Sequence, residues 1–186
     1  MSTITQAFTE VKRFHFVPRS VRALAGLDMP LSIGYGQTNS QPTTVRLMLE
    51  WLDAKKGQKV LDLGSGSGWT TALLGHIVGK HGTVYAAERI PELVDFGRRN
   101  CQEANVFNTE FFLAGKRYGL PQHAPFDRIL VSANADKFPA ELLGQLKVGG
   151  KIVVPVQNTI YEVSKLARGK LKTKEHPGFI FVPLVK

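Results

Sequence analysis

The run LDLGSGSGW, residues 61–69, sets three glycines two positions apart between an apolar stretch and a stretch of helix formers. Gly64, Gly66 and Gly68 allow a tight turn and a close approach of backbone to a ligand. The helix that follows begins with unpaired N–H groups. Glu88 closes the next apolar run, 24 residues after Gly64, where a carboxylate can accept hydrogen bonds from ribose hydroxyls. The spacing is G-x-G-x-G, not the G-x-G-x-x-G of pyrophosphate binders. Asp62, two positions before the first glycine, would repel a pyrophosphate and attract a cation. The pattern therefore suits a nucleoside cofactor that carries positive charge. S-adenosylmethionine, with its sulfonium and α-amino groups, fits better than NAD. Ser65 inside the turn and Arg89 after the acid join the candidate cofactor contacts.

Little else has the spacing of a chemical constellation. Ser40, followed by Gln41 and Pro42, has the pattern of a helix N-cap. The histidines at 15, 76, 81, 123 and 176 are scattered, Cys101 stands alone, and no Cys/His pair has metal-ligand spacing. No Ser/His/Asp arrangement is legible. Trp69 either flanks the cofactor or packs its helix on the sheet.

These residues need a scaffold, and the rest of the chain supplies one. Its 186 residues fit a single domain, and 43% hydrophobic with 21% charged residues is a globular composition. No apolar run reaches the ~18–20 residues that span a bilayer. The polar opening predicts no secretory signal, and the lone cysteine fits a reducing, cytoplasmic setting. The net charge of +9 is spread out, with a concentration from Lys165 to Lys174, and reads as a solvated basic face. Strands are predicted at 59–63, 83–88, 109–113, 128–132 and 151–155, and helices at 67–78, 91–104 and 139–146. Such alternation predicts a mostly parallel sheet covered on both faces. Segments 160–167 and 179–185 are expected to pair as an antiparallel hairpin. Before residue 58 a helix near 18–26, a Gly-rich loop at 32–40 and a helix at 41–54 are expected to cap the carboxyl ends of the strands. The division is thus a capping layer (1–57), a cofactor-binding core (58–156) and C-terminal strands (157–186).

Seven segments carry a resemblance: FVP (16–18), PLSIGYGQTNSQP (30–42), VLDLGSGSG (60–68), ERIPEL (88–93), GLPQHAPFD (119–127), LKVGGK (146–151) and FVPLV (181–185). In this order they are similar to the protein-L-isoaspartate (D-aspartate) O-methyltransferase family. The resemblance implies a Rossmann-like α/β fold and methyl transfer from S-adenosylmethionine to the free carboxylate of isoaspartyl residues in damaged proteins. It implies isoaspartyl peptides and proteins as partners, without membrane or nucleic acid, and a monomer. Ser40 matches the family's active-site serine, and Gln37, Thr38 and Asn39 lie in its substrate loop. Glu88 matches the ribose-binding acid. Gly115 stands where the family carries an acid that contacts adenine, and Lys116 adds charge beside it. The segment SANADK (132–137) replaces an Ala-rich stretch ending in proline. Two alternatives stay open: a methyltransferase for another acceptor, RNA being suggested by the charge, and a non-catalytic isoaspartyl-binding module with weakened cofactor affinity.

Overall fold

A computed structural model describes residues 3–184. The chain begins with α1 (Thr3–Glu10) and two 3₁₀ turns, Arg13–Phe16 and Arg19–Leu24. A short hairpin follows, β1 (Leu31–Gly34) and β2 (Gln37–Asn39), then α2 (Pro42–Leu52). The core alternates β3 (Lys59–Leu63), α3 (Trp69–Val78), β4 (Thr83–Glu88), α4 (Pro91–Glu103), β5 (Thr109–Leu113) and β6 (Phe126–Val131). It ends with α5 (Glu141–Gln145), β7 (Leu146–Val156), β8 (Thr159–Lys165) and β9 (Leu171–Pro177).

Seven strands form one sheet in the order β5-β4-β3-β6-β7-β8-β9. Strands β3 to β7 pair in parallel, and β8 and β9 add an antiparallel meander at the edge. The chain winds outward from β3 to β5, then crosses to β6 and winds the other way. This reversal opens a crevice at the carboxyl ends of β3 and β6, the usual ligand position in such sheets.

Strand alternation sorts the core into two faces. Val60, Val84, Ala86, Leu130 and Val153 point to α1–α4, while Leu61, Leu63, Ile129, Val131 and Ile152 point to α5 and to Leu120 and Phe126. The two coverings are unequal, since the second face has one short helix and coil.

The N-terminal layer departs from expectation. The glycines at 34 and 36 bracket a hairpin tip rather than a loop, the helix near 18–26 is a 3₁₀ turn, and α1 is additional. At the other end, the hairpin partner of β8 is the basic segment 171–177, not 179–185. Residues 178–184 instead cross the carboxyl ends of β7 and β6. The Asn134 N–H donates to the Val182 carbonyl, and the Leu184 N–H donates to the Asn134 carbonyl. Val185 lies outside the described residues. Phe179 and Phe181 are apolar because they pack on the core in this crossing, not because they alternate in a strand.

Helix α4 lies directly on the glycine turn. A Cβ at Gly97 would come within 2.7 Å of the Phe111 ring, 3.2 Å of the Gly66 carbonyl oxygen and 3.3 Å of the Gly68 nitrogen. Gly97→Ala should therefore destabilise by about 1–3 kcal/mol, the usual range for overpacking. Gly144→Ala, whose Cβ meets nothing within 4 Å, is the control. Urea unfolding of both variants checks this, and equal stabilities would remove the close approach as a constraint.

Candidate functional site

A cavity of about 310 Å³ opens at the sheet reversal. Its floor comes from Leu63, Gly64 and Gly66, one side from Ala87, Glu88, Arg89 and Ile90, and another from Ala114, Gly115, Arg117 and Tyr118. Ser132 and Ala133 follow β6, the crossing tail contributes Val182, Pro183 and Leu184, and the hairpin contributes Ile33, Tyr35, Gln37 and Thr38. The volume sits at the lower end of the ~300–1,000 Å³ typical of small-molecule sites.

The turn is built from left-handed backbone: φ is +80° at Gly64, +52° at Gly66 and +86° at Gly68, a region that side chains disfavour. Cβ atoms at Gly64 and Gly66 would meet Ala133 at 3.4 Å and Ile33 at 3.2 Å, so the cradle is already closely fitted. Glu88 holds this turn shut. Its Oε2 accepts from the Gly66 N–H at 2.9 Å, and its Oε1 accepts from the Arg89 and Ile90 N–H groups at 2.8 and 3.1 Å. A carboxylate has about four acceptor sites, so room remains for a ribose hydroxyl. Ser65 keeps a buried hydroxyl without a partner among the described residues. These residues fit an adenosyl group.

Asp62 is not a wall of this cavity. Strand parity turns it toward α3, where its oxygens accept from the Thr71 hydroxyl at 2.7 Å and the Ser132 hydroxyl at 3.0 Å. Complete burial pushes its pKa up to about 6, the hydroxyls oppose that, and nearby Glu88 adds to it. The acid thus ties the turn's strand to α3 and to the residue after β6. Gly68 and Ser65 likewise do not line the cavity; Gly68 faces Gly97. Lys116 is exposed and not a wall of the cavity, whereas its neighbour Arg117 is one. Arg89 lines the cavity, and Gly115 lines it with open space at its Cβ position.

The substrate-loop candidates separate into two groups. Gln37 and Thr38 line the cavity, while Asn39 is buried and points into the protein. Ser40 borders a neighbouring void of about 10 Å³ together with Thr70, Ser132 and Phe181, so it adjoins the cavity across Ser132. It does not cap α2. Asp28 does so from a distance, its Oδ1 accepting from the Thr43 N–H at 2.8 Å and its Oδ2 from the Thr43 hydroxyl at 2.7 Å. These two bonds, burial opposing them, hold the Asp28 carboxyl below its usual range. The Ser40 hydroxyl is therefore not committed to the helix.

Arg13 holds the loop in place, and nothing in its sequence neighbourhood announces this. Its Nε donates to Asn39 Oδ1 at 2.7 Å, and its Nη2 donates to the carbonyls of Met29, Asn39 and Ser40 at 2.8, 3.0 and 3.0 Å. Burial lowers its pKa to about 10, Asp28 acting against that, so the group stays charged at neutral pH. Among the described residues no cluster of three or more His, Cys, Asp or Glu could hold a metal ion. No described helix is long and apolar enough to cross a membrane.

Comparison with known proteins decides the family. The profile of the protein-L-isoaspartate (D-aspartate) O-methyltransferase family matches residues 1–186. The chain belongs to this family. A protein-L-isoaspartate O-methyltransferase of Pyrococcus horikoshii is 43% identical over 187 aligned residues, covering 98% of this chain and 84% of the relative. That of Methanosarcina mazei is 40% identical, with 98% and 76% covered. A solved protein-L-isoaspartate O-methyltransferase superposes with a TM-score of 0.91 at 27% identity; all of this chain matches 62% of that one, so it spans less than two thirds of that protein. A Plasmodium falciparum relative crystallised with S-adenosyl-L-homocysteine has a TM-score of 0.86 at 23% identity, with 100% and 91% covered, and supports the fold alone.

At Gly115 a side chain has open space. The Cβ of Gly115→Asp meets no atom within 4 Å. The substitution should tighten S-adenosylhomocysteine binding by about 1–3 kcal/mol if it restores an acceptor for a buried amino group. Calorimetry measures this, and unchanged affinity would mean that the group is already satisfied. Asp62 supplies a pH test. Below pH ~4 its carboxyl is protonated whether folded or not. From ~4 to ~6 the unfolded chain ionises first, so stability falls as pH rises, and above ~6 the penalty is constant. Asp62→Asn should gain up to about 3 kcal/mol on wild type between pH 4 and 7, read by urea unfolding. A difference independent of pH would show that Asp62 titrates normally.

Proposed function

We infer that the chain transfers a methyl group from S-adenosylmethionine to the free carboxylate of L-isoaspartyl and D-aspartyl residues in damaged proteins, the first step of their repair. The observation that carries this reading is that Thr38 of the substrate loop and Gly66 of the cofactor turn are walls of one cavity. The bound cofactor supplies an electrophilic methyl group on a sulfonium. The chain's own work is to bind, align and exclude water.

The acceptor needs no base. A carboxylate with pKa near ~4 is ionised at neutral pH, and none of the described residues lining the cavity is His, Lys, Asp or Cys. Glu88 is tied to three backbone N–H groups and serves as a fixed acceptor rather than a proton carrier. Alignment within about 3–3.5 Å is what remains to be provided. We assign the Ser40 hydroxyl to the acceptor carboxylate, with Gln37 and Thr38 beside it, and Gly64, Gly66, Glu88 and Arg89 to the cofactor. A neutral hydroxyl orients the carboxylate without stabilising it strongly in the ground state, as a guanidinium would.

The basic segment favours a peptide acceptor over RNA. Lys165 pairs with Leu171 beyond the register level of Lys151, near the amino end of the core strands, and the cavity lies at their carboxyl ends. No residue of the basic segment is a wall of the cavity, so its charge does not act on the reacting group. We take the protein to act as a cytoplasmic monomer on isoaspartyl peptides, with residues 1–57 as substrate layer, 58–156 as cofactor core and 157–186 as closing strands.

Radiolabelled methyl transfer to an isoaspartyl peptide, with the aspartyl peptide as control, tests the function. Label on neither peptide, despite S-adenosylhomocysteine binding, would favour a binding module. Ser40→Ala should lower turnover on the isoaspartyl peptide about 10-fold or more while leaving S-adenosylhomocysteine affinity intact. Full activity in that variant would remove Ser40 from the site.

A further inference from the structure

Asn39 lies between two residues assigned to the site, yet its side chain reaches neither the cavity nor solvent. Both ends of its amide are taken. Oδ1 accepts from Arg13 Nε at 2.7 Å, and Nδ2 donates to the Ser67 hydroxyl oxygen at 3.1 Å. The amide orientation is dictated by chemistry, because a guanidinium only donates. Ser67 in turn sits between Gly66, a wall of the cavity, and Gly68, which abuts α4. Its carbonyl accepts from Asn100 Nδ2 at 2.8 Å, so it is fixed from the α4 side also. A side chain from the substrate layer is thus bonded to a residue inside the cofactor turn.

We propose that Asn39 is a positioning residue for methyl transfer: the chain Arg13–Asn39–Ser67 sets the register between the loop that presents the carboxylate and the turn that presents the methyl donor. The proposal rests on the methyl-transfer reading above. Thr38, which precedes Asn39 in β2, is a wall of the cavity, as is Gln37 beside the irregular register of the β1–β2 hairpin, so the residue held inward adjoins residues that face the ligand. Arg13 holds the loop through the carbonyls of Asn39 and Ser40, and among the described residues the side-chain hydrogen bond from the loop to the cofactor turn is the one from Asn39 to Ser67. Cutting that bond leaves the loop folded on Arg13 but free to shift relative to the donor. An error of about 1 Å in such a distance costs on the order of 100-fold in rate.

Ser67→Ala removes only the acceptor of the Asn39 amide. It should lower kcat on an isoaspartyl peptide ~10- to 100-fold, with peptide KM and S-adenosylhomocysteine Kd within about threefold of wild type. Asn39→Ala should do the same or worse. Asn39→Asp should recover most of the lost turnover, because a carboxylate accepts from Arg13 and from a Ser67 hydroxyl that rotates to donate. An activity-free readout is amide hydrogen exchange. S-adenosylhomocysteine should slow exchange across residues 31–40 in the wild type and only around the glycine turn in Ser67→Ala. Unchanged kcat in Ser67→Ala overturns the proposal, as does a loss of kcat matched by equal losses of ligand affinity and melting temperature. If the wild type spreads protection to 31–40 but methylates no peptide, the function fails and the coupling stands.

Discussion

A buried guanidinium organises the substrate side of this molecule. Residues 25–30 belong to no helix or sheet, so their carbonyls have no ladder to join. Arg13 supplies the donors instead, reaching Leu27 at 3.1 Å and Met29 at 2.8 Å with the same group that holds Asn39 and Ser40. Burying a charge costs several kcal/mol, and this cost is offset by oriented carbonyl dipoles more than by a contacting carboxylate. The guanidinium also lies 5.4 Å from the centre of the Trp69 ring, the first residue of α3, and the Trp69 Nε1–H donates to the Val11 carbonyl at 3.2 Å. One side chain therefore connects the N-terminal layer, the substrate loop and the helix that follows the cofactor turn.

The cofactor side is organised by the opposite means, with close backbone contact and a minimum of side chain. Gly64, Gly66 and Gly68 take conformations that other residues avoid, and Gly97 lets α4 approach until a single methyl group would collide. Two acids brace this turn differently. Glu88 holds it from the cavity side through N–H groups, and Asp62 braces it from beneath through hydroxyls. Burial chiefly, and Coulombic repulsion from Glu88 in addition, raise the Asp62 pKa to about 6.

What the sequence makes legible is local. The glycine turn and the strand-end acid are read from spacing alone, because the backbone conformation and the alternation that place them involve few residues. Parity misleads at Asp62: two positions before the glycine still lies inside β3, where a side chain faces the covering helix and not the crevice. Residues 171–177 carry no apolar alternation, because this edge strand is exposed along nearly its whole length, whereas the apolar run 179–184 crosses the ends of other strands. Arg13 is invisible from sequence. Its partners lie 12 to 27 positions away and are almost all backbone, so no residue type marks them. The sequence around Ser40 fits a cap as well as a site, and only the fold shows that Asp28, 15 positions before Thr43, takes the capping role.

The departure that the resemblance implies at Gly115 becomes intelligible in this setting. Where recognition depends on charged side chains, losing one would leave the cavity with little hold on its ligand. Here the turn offers backbone groups that no substitution removes, Glu88 is fixed by three N–H donors, and the wall past β5 still presents Arg117 and Tyr118. One missing acceptor of about 1–3 kcal/mol lowers affinity by a factor that a millimolar-to-micromolar range can absorb. Rate is more demanding, because it depends on the distance between two ligands rather than on the grip on either. That distance is set by the hydrogen bonds joining Arg13, Asn39 and Ser67, so the geometry of transfer survives a change at Gly115 that touches none of them.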